Sequence, residues 1–410
     1  MVTGVFSFPL RGRRCWGDGG KIGFEMSPEI SCPVVRVPSV VPCDVAELDE
    51  LIAFLESDAS ADEVRAFARG TVLPDGRLDL CKQSVGPLGC ARIVSALQGN
   101  SRIKSVLLGT DAIGDEGAFE VARLIEANPR LEVVYLGCNG ITERGVGELA
   151  RVLKENNSVK GLWLKRNPIG NGGMKALGDM LSHNTTLEIL DVVNCGFGDS
   201  GFSEVCEALG QSNRSLKRLY IGGNGELSSW ALAEMLSQST SLEGLYLNVG
   251  ALGDTGAWEV ARGVKRSSSL RELGVGSNGI GLEGLKALCV ALSEHATVES
   301  VDMGRAASQT VLGAKANDFS GGGPLVADML RVNKTLRRLN LRGTKLGMAD
   351  FAAIFGAASS HPTLSELMVD SPLSGEVKAR LALNWAALPA QSESGVQLIR
   401  SVYRTAKTEA

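Results

Sequence analysis

Candidates for chemistry are few in this chain: three histidines and nine cysteines among 410 residues. A histidine beside a serine or cysteine would offer nucleophilic catalysis, and Cys/His pairs at short spacing would offer a zinc site. The spacing favours neither. Cys15, Cys32, Cys43, Cys81, Cys90, Cys138, Cys195, Cys206 and Cys289 make no C-x-x-C pair and no pairing with histidine at zinc spacing. An odd count cannot pair fully within one chain, so the thiols are expected reduced and the compartment cytoplasmic. His183, His295 and His361 fall in three separate segments, two of them in slots that asparagine fills elsewhere. Their expected role is a partly positive ring at a helix C-terminus, where the dipole favours it. No catalytic residue, metal or cofactor is expected.

Two glycine clusters, Gly170-Asn-Gly-Gly173 and Gly222-Gly-Asn-Gly225, resemble phosphate loops only in composition. Neither ends in Lys-Ser/Thr nor has G-x-G-x-x-G spacing, so both read as turns. Asp115, Asp199 and Asp254 stand where they can cap a helix or offset its dipole.

What positions these residues is a repeat. Glycine numbers 50 of 410, well above the usual level of about 7%, so one backbone solution is being used many times. The pattern L-x-x-L-x-L-x-x-N-x-I-G-x-x-G starts at Ile103, Leu131, Val159 and Leu187, each 28 residues after the last. Further starts are Leu216, Leu242, Leu270, Val298, Leu336 and Leu364, and a weaker first copy begins near Asp75. Alternation at Leu131–Leu136 predicts a short strand, and i, i+3, i+4, i+7 spacing at Val146, Leu149, Ala150 and Leu153 predicts a helix. Asn139, Asn167, Asn224, Asn278 and Asn317 occupy the turn leaving the strand, where an amide can satisfy backbone groups. A glycine recurs at the start of each helix, where a side chain would crowd the neighbouring coil. Helices end at Asn100, Asn128, Asn156, Asn184, Asn213 and Asn333, read as left-handed caps.

These motifs, over residues 75–373, resemble the ribonuclease-inhibitor-like class of leucine-rich repeats. The resemblance implies an α/β solenoid shaped as a horseshoe, with about 11 repeats of ~28 residues. A parallel β-sheet would line the concave face and α-helices the convex face. The class serves many unrelated binding roles, so the fold leaves function open.

Around the repeats, residues 1–43 lack a signal-peptide pattern and read as a flexible arm, with Met26 an equally good start. Residues 44–74 are expected to form a helical N-terminal cap, with helices over 44–57 and 60–69. Residues 305–314 insert after a strand at the rim of the sheet. Residues 374–410 read as a capping helix and tail.

One set of residues points to function. The strand position facing the concavity reads Leu107, Tyr135, Trp163, Asp191, Tyr220, Tyr246, Gly274, Asp302, Asn340 and Met368. Adjacent columns add Val133, Lys165, Arg166, Arg218, Asn248, Arg338 and Arg342. Tyr, Trp and Arg dominate binding hot spots, so this ladder is expected to lie exposed and take a protein partner. A net charge of −4 argues against a nucleic-acid partner. No apolar run nears the roughly 18 residues a membrane span needs, and a monomer is expected. The expectation is a non-enzymatic interaction scaffold. The alternatives are a GTPase-activating regulator of the kind that shares this repeat class, with an arginine such as Arg166 on phosphate, and a substrate-recruiting adaptor or effector.

Overall fold

The computed structural model describes residues 40–310, 312–388 and 402. Among them thirteen strands form one sheet in chain order. β1 (Arg65–Ala66), β2 (Thr71–Val72) and β3 (Arg77–Asp79) pair antiparallel. Every later pairing is parallel, through β4 (Ser105–Leu107), β5 (Val133–Tyr135), β6 (Gly161–Trp163), β7 (Ile189–Asp191), β8 (Arg218–Tyr220) and β9 (Gly244–Tyr246). It continues through β10 (Glu272–Gly274), β11 (Ser300–Asp302), β12 (Arg338–Asn340) and β13 (Glu366–Met368). Parallel neighbours need a long crossover, and a helix supplies it in each coil, as Glu143–Leu153 does between β5 and β6. The result is a leucine-rich-repeat solenoid, sheet concave and helices convex.

The core fills the space between the two layers. In the coil of β5, Val134, Leu136, Ile141, Val146 and Leu149 are fully buried. The strand asparagines tie coil to coil. Asn167 donates from Nδ2 to the carbonyls of Leu136 (2.9 Å) and Leu164 (2.7 Å), while its Oδ1 accepts from the Asn139 N–H at 2.8 Å. Where Cys195 takes this slot, its thiol reaches the same carbonyl row at Leu164, and burial pushes it up to about 12. The recurring helix glycine is required by close packing: a Cβ on Gly145 would lie 2.6 Å from Asp115 Oδ1 and 2.9 Å from Ala118 Cβ of the preceding coil.

Three local expectations are corrected. The helix-ending asparagines are not left-handed: Asn128, Asn184 and Asn333 are extended, with ψ of 98°, 134° and 139°. They act through the side chain. Asn184 Nδ2 donates to the Asn156 carbonyl of the preceding coil at 3.1 Å, and its Oδ1 accepts from Thr186 and Leu187 at 2.9 and 2.7 Å. His295 imitates it, with Nε2 2.8 Å from the Val264 carbonyl and Nδ1 accepting the N–H groups of Thr297 and Val298. His361 Nδ1 likewise accepts from Leu364 at 2.9 Å, and burial pushes this ring down to about 4. A neutral imidazole replacing an amide, rather than a positive ring on a dipole, explains His361.

The aspartates expected to cap a helix or offset its dipole cap the helix of the following coil. Asp115 Oδ1 accepts from Thr142 at 2.7 Å and Gly145 at 3.1 Å, and Asp254 Oδ1 from Gly281 at 2.7 Å and Gly284 at 2.9 Å.

Residues 60–69 do not form a second helix. A helix does cover Asp49–Glu56, but β1 and β2 then close the edge of the sheet beside β3, where an unpaired strand would invite association. Arg65 stacks its guanidinium 4.5 Å from the Phe54 ring centroid. At the other end the helix Gly375–Ala386 buries Val377 and Leu381, and Asn384 Nδ2 satisfies the carbonyls of His361 and Leu364. Residues 1–39 of the expected arm lie outside the described residues.

The insertion is stitched down rather than projecting. The Ala306 N–H donates to Ser277 Oγ at 2.7 Å, Ser277 Oγ donates to Gln309 Oε1 at 2.9 Å, and the Arg305 N–H donates to the Arg342 carbonyl at 2.6 Å. Ala306 and Ser308 are buried.

Candidate functional site

Strand register builds the concave column as one continuous line. Leu107 pairs with Tyr135, Tyr135 with Trp163, Trp163 with Asp191, Asp191 with Tyr220 and Tyr220 with Tyr246. Gly274, Asp302, Asn340 and Met368 extend it. Asp79 precedes Leu107 at its head and was missed in the sequence because that first repeat is weak.

The rings do not stand exposed. Tyr135, Trp163 and Tyr220 are each 4% exposed and Tyr246 is 5%. With Cys81, Leu107, Val133 and Ile189 they form an apolar cluster separate from the main core. Part of the reason is that rings lie against glycines. A Cβ on Gly109 would fall 2.4 Å from Tyr135 Cε1, and one on Gly274 would fall 3.0 Å from Tyr246 Cδ1. Tyr220 and Tyr246 stack face to face, centroids 4.2 Å apart and planes 3° from parallel. Cys81 and Cys138 are both buried.

The polar partners are also drawn in. Lys165 Nζ lies 5.5 Å from the Tyr135 centroid and 3.7 Å from Asp191 Oδ2, with side chains 5% and 1% exposed. Asp191 Oδ1 accepts the Val193 N–H at 3.1 Å, and the same bond two residues on is made by Asp79 to Cys81 (3.1 Å), Asp302 to Gly304 (3.0 Å) and Asn340 to Arg342 (3.1 Å). These acids first serve the strand-to-turn geometry. Asn248, expected as a partner contact, spends its Oδ1 on the Gly276 N–H at 2.7 Å. Arg218 is the more open member, 3.5 Å from Glu272, which also receives the Tyr246 hydroxyl. Burial pushes the Tyr220 and Tyr246 hydroxyls upward, holding both rings neutral.

Arg166, the residue for a phosphate-stabilising role, sits in the turn with φ 60° and is 3% exposed. It does not project as a free finger. Residues 44–69, where a recruiting module would sit, hold a 3₁₀ turn, one α-helix and an edge strand. Among the described residues no cluster of His, Cys, Asp or Glu is arranged to hold a metal ion, and no helix is long and apolar enough to cross a membrane.

A Leucine Rich repeat family profile matches residues 183–206 and 266–289. Among solved structures the chain is similar to leiomodin-1 actin-binding site 2, at 21% identity and a TM-score of 0.31, over 35% of this chain and 78% of that one. It is also similar to the tropomodulin C-terminal domain of Caenorhabditis elegans, at 18% identity and a TM-score of 0.31, over 36% and 90% of the two chains. No curated protein matches the sequence. The fold is a leucine-rich-repeat solenoid, and both matched segments lie within it.

Proposed function

We propose that the chain is a non-enzymatic protein-interaction scaffold of the ribonuclease-inhibitor-like repeat class, acting as a cytoplasmic monomer, and that its concave face receives a partner protein. The observation that carries this reading is the in-register run of Tyr135, Trp163, Tyr220 and Tyr246, flanked by Lys165, Arg166, Asp191 and Arg218. Leu107, Val133 and Asn248 complete the surface. The main core between sheet and helices is filled without these rings. A parallel sheet also holds its side chains in fixed positions, so binding orders little that is not already ordered.

The test is capture of partners by the full chain. Arg218→Ala with Arg338→Ala changes two half-buried concave residues. Trp230→Ala with Trp258→Ala changes two exposed convex residues, at 62% and 56% exposure. Partners lost by the concave pair and kept by the convex pair support the reading. The reverse result moves the binding surface to the helices and overturns it.

A further inference from the structure

A ring lying on a single-layer sheet has one face against the strands and the other open. Yet no ring of the concave ladder exceeds 5% exposure. Something covers the outer faces. One contact identifies a candidate: the Val402 N–H donates to Asp79 Oδ2 at 2.6 Å, at the head of the column. Building on the reading of this face as a binding surface, we propose that its resting occupant is the chain's own C-terminal segment, anchored by Val402 at Asp79, which a partner must displace.

Chain length supports this route. Leu388 follows the terminal helix beside β13, and Val402 lies fourteen positions beyond it. Fully extended, fourteen residues span at most about 50 Å. β13 and β3 are ten strands apart, which at about 4.8 Å per step is about 48 Å along the sheet. Over the convex side, helices packed about 8–10 Å apart would make the same journey about 80–100 Å. That convex route exceeds the reach of the segment. The composition also fits. Val396, Leu398, Ile399 and Val402 suit an aromatic floor, and Arg400 and Arg404 flank the residue held by the buried Asp79 carboxylate.

Cys81, within the apolar cluster of this face, and Cys138, buried in the turn that follows β5, report occupancy in the full-length chain. Maleimide labelling, resolved thiol by thiol by peptide mass spectrometry, is compared in the native chain, Val402→Pro and Val402→Asp. Proline removes the donated N–H, and aspartate sets a second carboxylate against Asp79. Both variants are expected to label Cys81 and Cys138 about tenfold faster or more, as local opening frees the face. Cys90, in the main core, should label at the native rate. A synthetic peptide of residues 391–410 should restore protection in trans. Native rates in both variants overturn the proposal, as does protection that survives both variants but disappears when residues 1–39 are removed. Accelerated labelling without increased partner capture leaves the occupancy standing and refutes the concave face as the partner site.

Discussion

Tyr220 and Tyr246 occupy consecutive strands of the concave column with their rings stacked at 4.2 Å, and only Tyr246 passes its hydroxyl on to Glu272. Both rings are nearly inaccessible, so removing one leaves a cavity rather than trimming a surface. Tyr246→Ala is expected to cost about 3–5 kcal/mol. Tyr246→Phe keeps the stack and deletes one hydrogen bond, worth about 1 kcal/mol. Urea denaturation of the three chains checks this. A loss below 1 kcal/mol in Tyr246→Ala would mean the ring is exposed in solution.

Lys165 and Asp191 set a second test. Their side chains are 5% and 1% exposed with 3.7 Å between charges. Removing one member of such a pair takes a buried counter-charge from the other, at a cost of about 3–5 kcal/mol. Lys165→Met should therefore destabilise strongly. Lys165→Met with Asp191→Leu should recover much of the loss, though the bond from Val193 to Asp191 goes with it. A double-mutant cycle by denaturation separates the pair from its neighbours. Strict additivity would show the two charges do not interact.

Two buried groups give stability a pH dependence of opposite sign. Burial pushes Asp302 up to about 7, whereas an unfolded aspartate titrates near about 3.9. The folded state thus binds the extra proton between those values, and this contribution to stability falls as pH rises from about 4 to about 7. Burial pushes His361 down to about 4, against about 6.5 unfolded. There the unfolded state binds the extra proton, so this contribution is lost as pH falls from about 6.5 towards 4. The two slopes oppose each other across one window. Asp302→Asn keeps an acceptor for Gly304 and Asn340 and replaces the oxygen that accepts no bond. It should leave a chain that loses stability more steeply on acidification and is more stable than native at pH 8. Melting temperatures from pH 4 to 8 read both signs.

The placing of every parallel strand from Asp75 onward, and the order of residues along the concave column, was legible because both follow from a pattern repeated within each coil. What escaped depends on neighbouring coils. Asn184 reads as a left-handed cap in isolation, but its partner is a carbonyl 28 residues earlier. Asp115 reads as a helix cap, but the N–H groups it accepts from belong to the next coil. Residues 60–69 carry too few apolar positions to separate a helix from an edge strand. The column of rings was visible, but its burial was not. That depends on Gly109 and Gly274 making room from adjacent strands, and on Asp79, whose bond to Val402 spans 323 positions.

His295 tests whether the sparse histidines are structural. Its Nε2 meets the Val264 carbonyl at 2.8 Å, and its Nδ1 accepts from Thr297 and Val298 at 3.3 and 3.2 Å. Such bonding needs a proton on Nε2 and none on Nδ1, the same polarity an asparagine amide presents in the other coils. His295→Asn should therefore melt within a few degrees of the native chain. His295→Ala leaves a buried carbonyl and two N–H groups without the ring that joined them, at about 1–3 kcal/mol. His295→Gln is the discriminating case, because its amide sits one methylene further out and cannot reach both sides of the turn without displacing the Thr297 backbone. It should fall between the other two. If asparagine proved as damaging as alanine, the ring would have a role that an amide cannot fill, and the view of His295 as a substitute for the repeat's asparagine would have to be abandoned.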